Sequence, residues 1–479
     1  MASRYWEVRA LAARCVPRGT VLVDAAREEA MVREKGRKST YRQFHLARRE
    51  WVSAERLLNE QEVNSFVEVS CRAAACPMPM NIDVWDGLTC PFNCRYCFAN
   101  AFRASLYTAF FDNAKTLGIR HCNPDYYKRE LDKLFTARGA DAMSLSGSDP
   151  VRRAVALGVP MRLGIRFEDF LPRERSAGVS WALLDYLRAA EYPVMINTKS
   201  ALVGEDKYVR VLADNPARAA VHITMISSNE TLLRRLEPGA PSFAKRCEAA
   251  RALVAAGVRV VARIEPHLPL VNDQPDEVRE YIERIRAAGI RNVTFDTYSY
   301  SAYNAGIRAA FLNAGLDFDR LFNMSSDSQA LGSILLREFM ELFRDAGLSV
   351  STFDLGNAAA NSQTICCEVE DWFTDAGWNW GSIVSAARYV IRAAPRPVRW
   401  CEFAAWVREQ GGFLSDALEQ EVHQLWNGDG NTAYILSWSA GLVAMGSDGE
   451  DVVWAYRPEL ERDFRDQTLD AALKGYNVR

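Results

Sequence analysis

Between residues 80 and 300 the chain repeats one pattern six times: a short β-rich run, then an amphipathic helical stretch. The runs are NIDVW (81–85), MRLGIRF (161–167), YPVMINT (192–198), AVHITM (220–225), RVVARI (259–264) and NVTFDT (292–297). Between them lie helical segments such as SWALLDYLRAAE, SFAKRCEAARALVAAG and DEVREYIERIRAAG. The last two end in Gly, a common helix stop. Strands alternating with helices imply βαβ units and a parallel sheet. The expected fold class is therefore α/β, a partial (β/α)6 TIM-like barrel whose strand C-terminal ends carry the chemistry. The barrel is expected over 80–300, with 301–379 completing it and connecting onward.

The flanks read differently. Residues 1–79 suggest an N-terminal helical extension. Within it, 33–49 (REKGRKSTYRQFHLARR) sets seven Lys/Arg against one Glu. Such a segment is either a solvated face or an arm that gains affinity for phosphates by releasing counterions. From 380 to 479 three short helices and two β-like runs suggest a winged-helix-like α+β domain. Residues 380–457 hold nine Asp/Glu, six Arg and no Lys. A module that reads DNA should show a basic face, so this unit favours a structural or interaction role. The whole chain, at a net charge of −3, gives no global argument for nucleic acid. It has no long apolar run for a membrane span, and its first residues lack the apolar core of a secretion signal. A cytoplasmic location is the expectation.

Eleven cysteines are many for a cytosolic chain, where thiols stay reduced and clustered ones point to metals or catalysis. Three of them stand in Cys90-Pro-Phe-Asn-Cys94-Arg-Tyr-Cys97, just after the first candidate strand. Three thiolates on a loop ligate three irons of a [4Fe–4S] cubane and leave the fourth without a protein ligand. That iron can chelate the amino and carboxylate groups of S-adenosylmethionine (SAM). An electron from the reduced cluster then splits the sulfonium and releases a 5′-deoxyadenosyl radical, the cofactor supplying the difficult step. The alternative is a structural zinc site completed by Cys71 and Cys76, since zinc usually takes four Cys or His ligands. The spacing and the strand–loop setting favour the cluster. Tyr96 and Phe98 flank the third thiolate, either packing around the cluster or lining the substrate pocket.

On these residues the chain resembles the radical SAM superfamily and, within it, the spore photoproduct lyase group of DNA-repair-related enzymes. The resemblance covers roughly 80–300. CRYCF (94–98) is similar to that group's cluster loop, with Phe98 where the lyases commonly carry Tyr. NTKS (197–200) is similar to its Thr-Lys strand end. The stretch 222–257, centred on Leu236-Glu-Pro-Gly239, resembles a long segment of the group and is more specific than the cysteine motif. The resemblance implies that Lys199 contacts the SAM carboxylate, as a point charge at a strand end is suited to do. It also implies that Thr224 lies near the SAM ribose. Arg263 and Glu265, at the end of a strand facing that pocket, are either ligands for cofactor or substrate or a buried pair. Glu237-Pro-Gly is read as a turn with no catalytic role.

In one place the chain departs from the group. The lyases return hydrogen to the product radical from a cysteine at the end of the second strand, where this chain reads Leu163-Gly-Ile-Arg-Phe-Glu-Asp169 without a thiol. That argues against photoproduct cleavage by the same route. It leaves Arg166 and Asp169 as substrate-binding candidates beside Tyr96. Cys122, Cys366 and Cys367 are alternative hydrogen donors. The reading is a radical SAM lyase, isomerase or modifying enzyme acting on a nucleobase in DNA, for instance a substituted thymidine. Such a base would have to leave the stack. An external donor such as flavodoxin or ferredoxin would reduce the cluster. The alternatives are radical chemistry on a small molecule or peptide, and a non-enzymatic iron–sulfur sensor that binds DNA.

Overall fold

A computed structural model describes residues 5–7, 9–10, 42–45, 50–53, 66–69, 78, 80–86, 90–97, 119–145, 149–165, 167–298, 307, 311, 331–352, 367–369, 372, 383–410, 412–427 and 442–459. Fourteen strands occur among them. In chain order they are β1 (Arg42–His45), β2 (Glu50–Ser53), β3 (Phe66–Val69), β4 (Met80–Asp83), β5 (Trp85–Asp86), β6 (Arg120–His121), β7 (Met161–Leu163), β8 (Val194–Thr198), β9 (Ala219–Thr224), β10 (Arg259–His267), β11 (Asn292–Thr297), β12 (Ser349–Thr352), β13 (Leu442–Asp448) and β14 (Asp451–Tyr456).

Ten of them form one sheet in the order β12-β11-β10-β9-β8-β7-β4-β3-β1-β2. The run β4-β7-β8-β9-β10-β11-β12 is parallel throughout. It is the expected α/β partial barrel, with all six anticipated strands in sequential order and a seventh, β12, beyond them. The segment expected to be a helical extension instead contributes β3, β1 and β2, which continue the sheet in antiparallel fashion. Their aromatic and β-branched residues (Phe44, Trp51, Val52, Phe66, Val67, Val69) favour a pleated strand over a helix. Of the basic segment 33–49, the described residues are Arg42–His45, in β1.

The helices cover one face of the sheet. Phe243–Ala255 starts on Ser242, whose side chain accepts from the Lys245 amide at 3.3 Å, and it buries Phe243, Ala250 and Leu253. Pro275–Ala287 begins with proline, which has no amide to leave unpaired in the first turn. It buries Val278, Tyr281, Ile282 and Ile285. Leu331–Asp345 adds Phe339 and Phe343, packed against Phe295 of β11. Between helices and strands lies the main apolar core, to which the strands contribute Ile82, Leu163, Ile196, Val221, Ile223, Val260, Ala262, Val293 and Val350.

Because side chains alternate across a strand, the residues between these face the other way, into the barrel. Met195 and Ala220 lie there with Met78, Cys367, Val369 and Trp372 in a separate small cluster. The segment 367–369 caps this face at the strands' N-terminal ends. The Cys367 carbonyl is 3.0 Å from His222 Nε2, the Glu368 carbonyl accepts from Arg259 at 2.6 Å, and the Glu368 carboxylate accepts from Asn292 at 2.6 Å.

Toward the C-terminus the expected winged-helix order is present. Helices Ile383–Ala393, Trp400–Glu409 and Asp416–Asn427 precede the β13–β14 hairpin. Val398, between the first two helices, bridges Trp454 through amide–carbonyl bonds of 2.7 and 3.0 Å. Trp400, Phe403 and Trp426 pack together, and the Trp426 indole donates to the Val452 carbonyl at 2.7 Å.

Candidate functional site

The loop Cys90–Cys97 leaves the C-terminal end of β4 by way of the β5 strand and folds into two tight turns. The Asn93 amide donates to the Cys90 carbonyl at 3.0 Å and the Cys97 amide to the Cys94 carbonyl at 3.3 Å. Cys94 is buried, and Cys90 and Cys97 are partly so. The three thiols lie near enough to one another to interact electrostatically. Burial pushes the Cys94 thiol well above its ordinary value, and Lys199 works in the opposite direction.

The loop is clamped from a distance in sequence. Arg95 donates its amide to the Leu236 carbonyl at 2.8 Å, and Gly239 donates to the Phe92 carbonyl at 3.1 Å. At Gly239 a Cβ would sit 2.0 Å from the Pro91 carbonyl oxygen, so this approach is open only to glycine. Glu237, fully buried, takes the Tyr96 hydroxyl on one carboxylate oxygen and the Arg246 guanidinium on the other. Arg246 also donates to the carbonyls of Thr224 (2.8 Å) and Pro241 (3.0 Å). Glu237, read from sequence as part of a turn, is thus the centre of a buried network that seats the loop.

Two adjacent carboxylates, Glu168 and Asp169, tie the strand ends beneath the loop. Asp169 accepts from the Val84 and Trp85 amides at 3.0 and 3.2 Å on one oxygen and from the Gly164 amide at 2.8 Å on the other. Glu168 accepts from the Thr198 hydroxyl at 2.6 Å and from the Lys199 and Phe170 amides at 3.0 Å each. Burial raises the pKa of both; Asp83 adds to it for Asp169, while hydrogen bonds work against it for Glu168. Gly164 has φ +76°, and a Cβ there would lie 1.9 Å from the Asn197 carbonyl oxygen. Two adjacent residues therefore fix the ends of β4, β7 and β8 together.

The candidates separate on this geometry. Lys199 lies at the end of β8 with Nζ 5.3 Å from the centre of the Tyr96 ring. Burial pulls its pKa down, but Cys94, Glu237 and Cys97 outweigh that and leave it raised. Thr224 ends β9 beside Arg263 of β10. Arg263 and Glu265 form an ion pair with each other, both partly exposed. Tyr96 has its hydroxyl engaged by Glu237, and Asp169 has both oxygens engaged by backbone. These bonds tie both side chains into the framework around the loop. Arg166 and Phe98 lie outside the described residues, as do Cys71, Cys76 and Cys366. Cys122 is buried, its amide on the Val84 carbonyl at 2.9 Å, and Cys367 is buried on the barrel floor.

Residues 87–282 match the family model described as the Radical SAM superfamily. The chain carries a radical SAM domain. Proteins of this superfamily use a [4Fe–4S] cluster together with SAM, and the donor set of this radical SAM domain fits that pair. Among the described residues no three Cys, His, Asp or Glu side chains close on a single ion. A cubane holds its thiolates on separate irons, farther apart than the ligands of one ion, so three loop thiols suit it. Lys199 beside them offers a cation for a carboxylate.

Among curated proteins, an uncharacterized protein of Mycobacterium tuberculosis and one of Mycobacterium bovis are each 24% identical over 239 residues, 48% of this chain and 64% of the relative. The alignment thus spans less than two thirds of those relatives' length. Solved structures with similarity include spore photoproduct lyase complexed with dinucleoside spore photoproduct, 15% identical with a TM-score of 0.40 over 60% of this chain and 78% of that one. Another is SuiB of Streptococcus suis bound to SAM, 12% identical with a TM-score of 0.36 over 58% and 51%. Among the described residues no helix is long and apolar enough to cross a membrane.

Proposed function

We propose that this radical SAM enzyme is cytoplasmic and modifies, rearranges or repairs a nucleobase in DNA. In this reading Cys90, Cys94 and Cys97 hold the cluster and Lys199 receives the SAM carboxylate. When bound, cluster and SAM supply a 5′-deoxyadenosyl radical able to take hydrogen from an unactivated carbon. The protein's part is positional. Glu237 and Arg246 seat the loop, Glu168 sets the Lys199 backbone, and the barrel mouth admits a group extruded from its polymer. An external flavodoxin or ferredoxin supplies the electron.

One observation carries the reading: the thiol loop and Lys199 share the open end of a barrel whose interior is polar. Asn81, Arg162, Asn197, His222, Thr294 and Ser351 are all buried along the face opposite the apolar core. A lumen of that kind suits a hydrogen-bonding ring better than an aliphatic chain. The DNA assignment draws on the likeness of NTKS and the Leu-Glu-Pro-Gly stretch to the spore photoproduct lyase group and on the basic segment 33–49.

The winged-helix unit gives no support to DNA reading of its own. Asp416, Ala417, Gln420 and Gln424 are the exposed residues of its third helix, and Glu419 is paired with Arg408. The acidic balance of residues 380–457 favours the second reading, radical chemistry on a peptide or small molecule delivered by a partner protein. Anaerobic reconstitution with SAM and dithionite, followed by mass spectrometry for 5′-deoxyadenosine, decides between them. Release stimulated by single-stranded or modified DNA supports the first. Release with a metabolite or peptide extract and none with DNA selects the second. Iron content without any SAM cleavage defeats both.

A further inference from the structure

The inner face of the barrel holds buried polar atoms that have no partner among the described residues. Asn197 is 7% exposed and His222 1%. They are direct neighbours across the β8–β9 ladder. Neither the Asn197 amide nitrogen nor its oxygen has a hydrogen-bond partner, and neither does His222 Nδ1. Ser351, fully buried on β12 at the far edge of the same face, has an unpartnered Oγ. Each such group is costly when left dry, and a fold that retains them side by side holds something polar against them. The other buried unpaired atoms among the described residues are mostly scattered over helices.

Their chemistry narrows the occupant. His222 Nε2 faces the Cys367 carbonyl at 3.0 Å, so it carries the ring proton and Nδ1 is an acceptor. Burial, then Arg263, with Arg162 and Arg259 adding, lowers the His222 pKa to about 3, which keeps the ring neutral. The pair therefore presents one donor and two acceptors: the Asn197 NH2, the Asn197 carbonyl and His222 Nδ1. An amide side chain offers its donor and acceptor side by side, which matches a ring edge where C=O and N–H also lie side by side. A trans peptide places those two groups on opposite sides and cannot meet both. Nucleobases present such an edge, and asparagine reads them in this bidentate way. Asn197 is two residues before Lys199 on one strand, so the pair lies directly beneath the proposed cofactor position.

We propose that Asn197 and His222 form the subsite that binds the amide edge of the substrate base, with Ser351 closing the far side. This rests on the nucleobase reading above and adds the atoms that would recognise it. The base would enter edge-first, its N–H and C=O on Asn197, with His222 Nδ1 open to a second N–H on any base that carries one.

The test is a binding measurement on anaerobically reconstituted full-length protein with SAM and no reductant. The probes are a fluorescent single-stranded oligonucleotide with one central thymidine among abasic positions, and the same strand carrying N3-methylthymidine. Methylation removes the edge N–H and leaves stacking and backbone charge alone. Wild-type protein is expected to bind the methylated strand roughly 10- to 100-fold more weakly, the range for a lost bidentate base contact. Asn197→Leu is expected to bind both strands equally and weakly, while its SAM affinity stays within about twofold. Equal wild-type affinity for the two strands overturns the subsite and leaves the DNA reading standing. No binding of either strand removes both. The wild-type comparison needs no variant, so a misfolded Asn197→Leu does not blunt the test.

Discussion

Two sets of buried polar residues lie a few ångströms of chain apart in this barrel, and they are built on opposite plans. At the mouth, Glu168, Asp169 and Glu237 have their carboxylate oxygens occupied by backbone amides, hydroxyls or a guanidinium. Inside, the Asn197 amide and His222 Nδ1 have no hydrogen-bond partner among the described residues. A buried polar group that is fully paired holds shape, whereas one left unpaired is costly unless a ligand or water completes it. The comparison separates framework from recognition without reference to which residues look catalytic.

The largest effect should come from breaking the framework at its most buried charge. Glu237→Ala leaves Arg246 without its partner at about 1% side-chain exposure, a change expected to cost about 3–5 kcal/mol. Chemical denaturation checks it, and a loss under 1 kcal/mol would mean the network is not what seats the loop. Next is Gly164→Ala. It combines φ +76° with a contact of 1.9 Å to the Asn197 carbonyl, and it should sit at the upper end of the roughly 1–3 kcal/mol typical of overpacking. A thermal melt of the variant suffices. Asp169→Asn is milder, because one oxygen still serves two amides while the new NH2 faces an N–H. About 1–2 kcal/mol of stability should go with substrate KM unchanged. A KM effect larger than the stability effect would return Asp169 to the substrate side.

A pH slope sharpens the other half of the comparison. His222 titrates near 3 when folded and near 6.5 when unfolded. Between those values the unfolded chain binds the extra proton, so the contribution is complete above about pH 6.5 and is lost as pH falls toward 3. His222→Gln should flatten the stability–pH slope across that window by up to one proton. Equal slopes in the two proteins would show that the ring is reached by solvent and charges in place.

Much of this was legible in the sequence. The six-fold strand–helix alternation is strong because buried parallel strands and amphipathic helices have different periods. β12 was not read as a strand: Ser349-Val-Ser-Thr is short and three of its four residues are polar, although Gly347 ends the preceding helix as Gly257 and Gly289 do. The thiol loop and Lys199 announce themselves by residue type. Nothing local says whether a carboxylate such as Asp169 turns outward or onto its own backbone, where its oxygens are found. Glu237 was passed over because its decisive partner, Tyr96, is 141 residues away.

The cap formed by Cys367–Val369 across β9, β10 and β11 makes the barrel a blind tube over those strands. Among the described residues the way out over those strands is the thiol-loop end. On the nucleobase reading a long polymer would offer only a pendant group there, and spent cofactor and product would leave by one shared doorway.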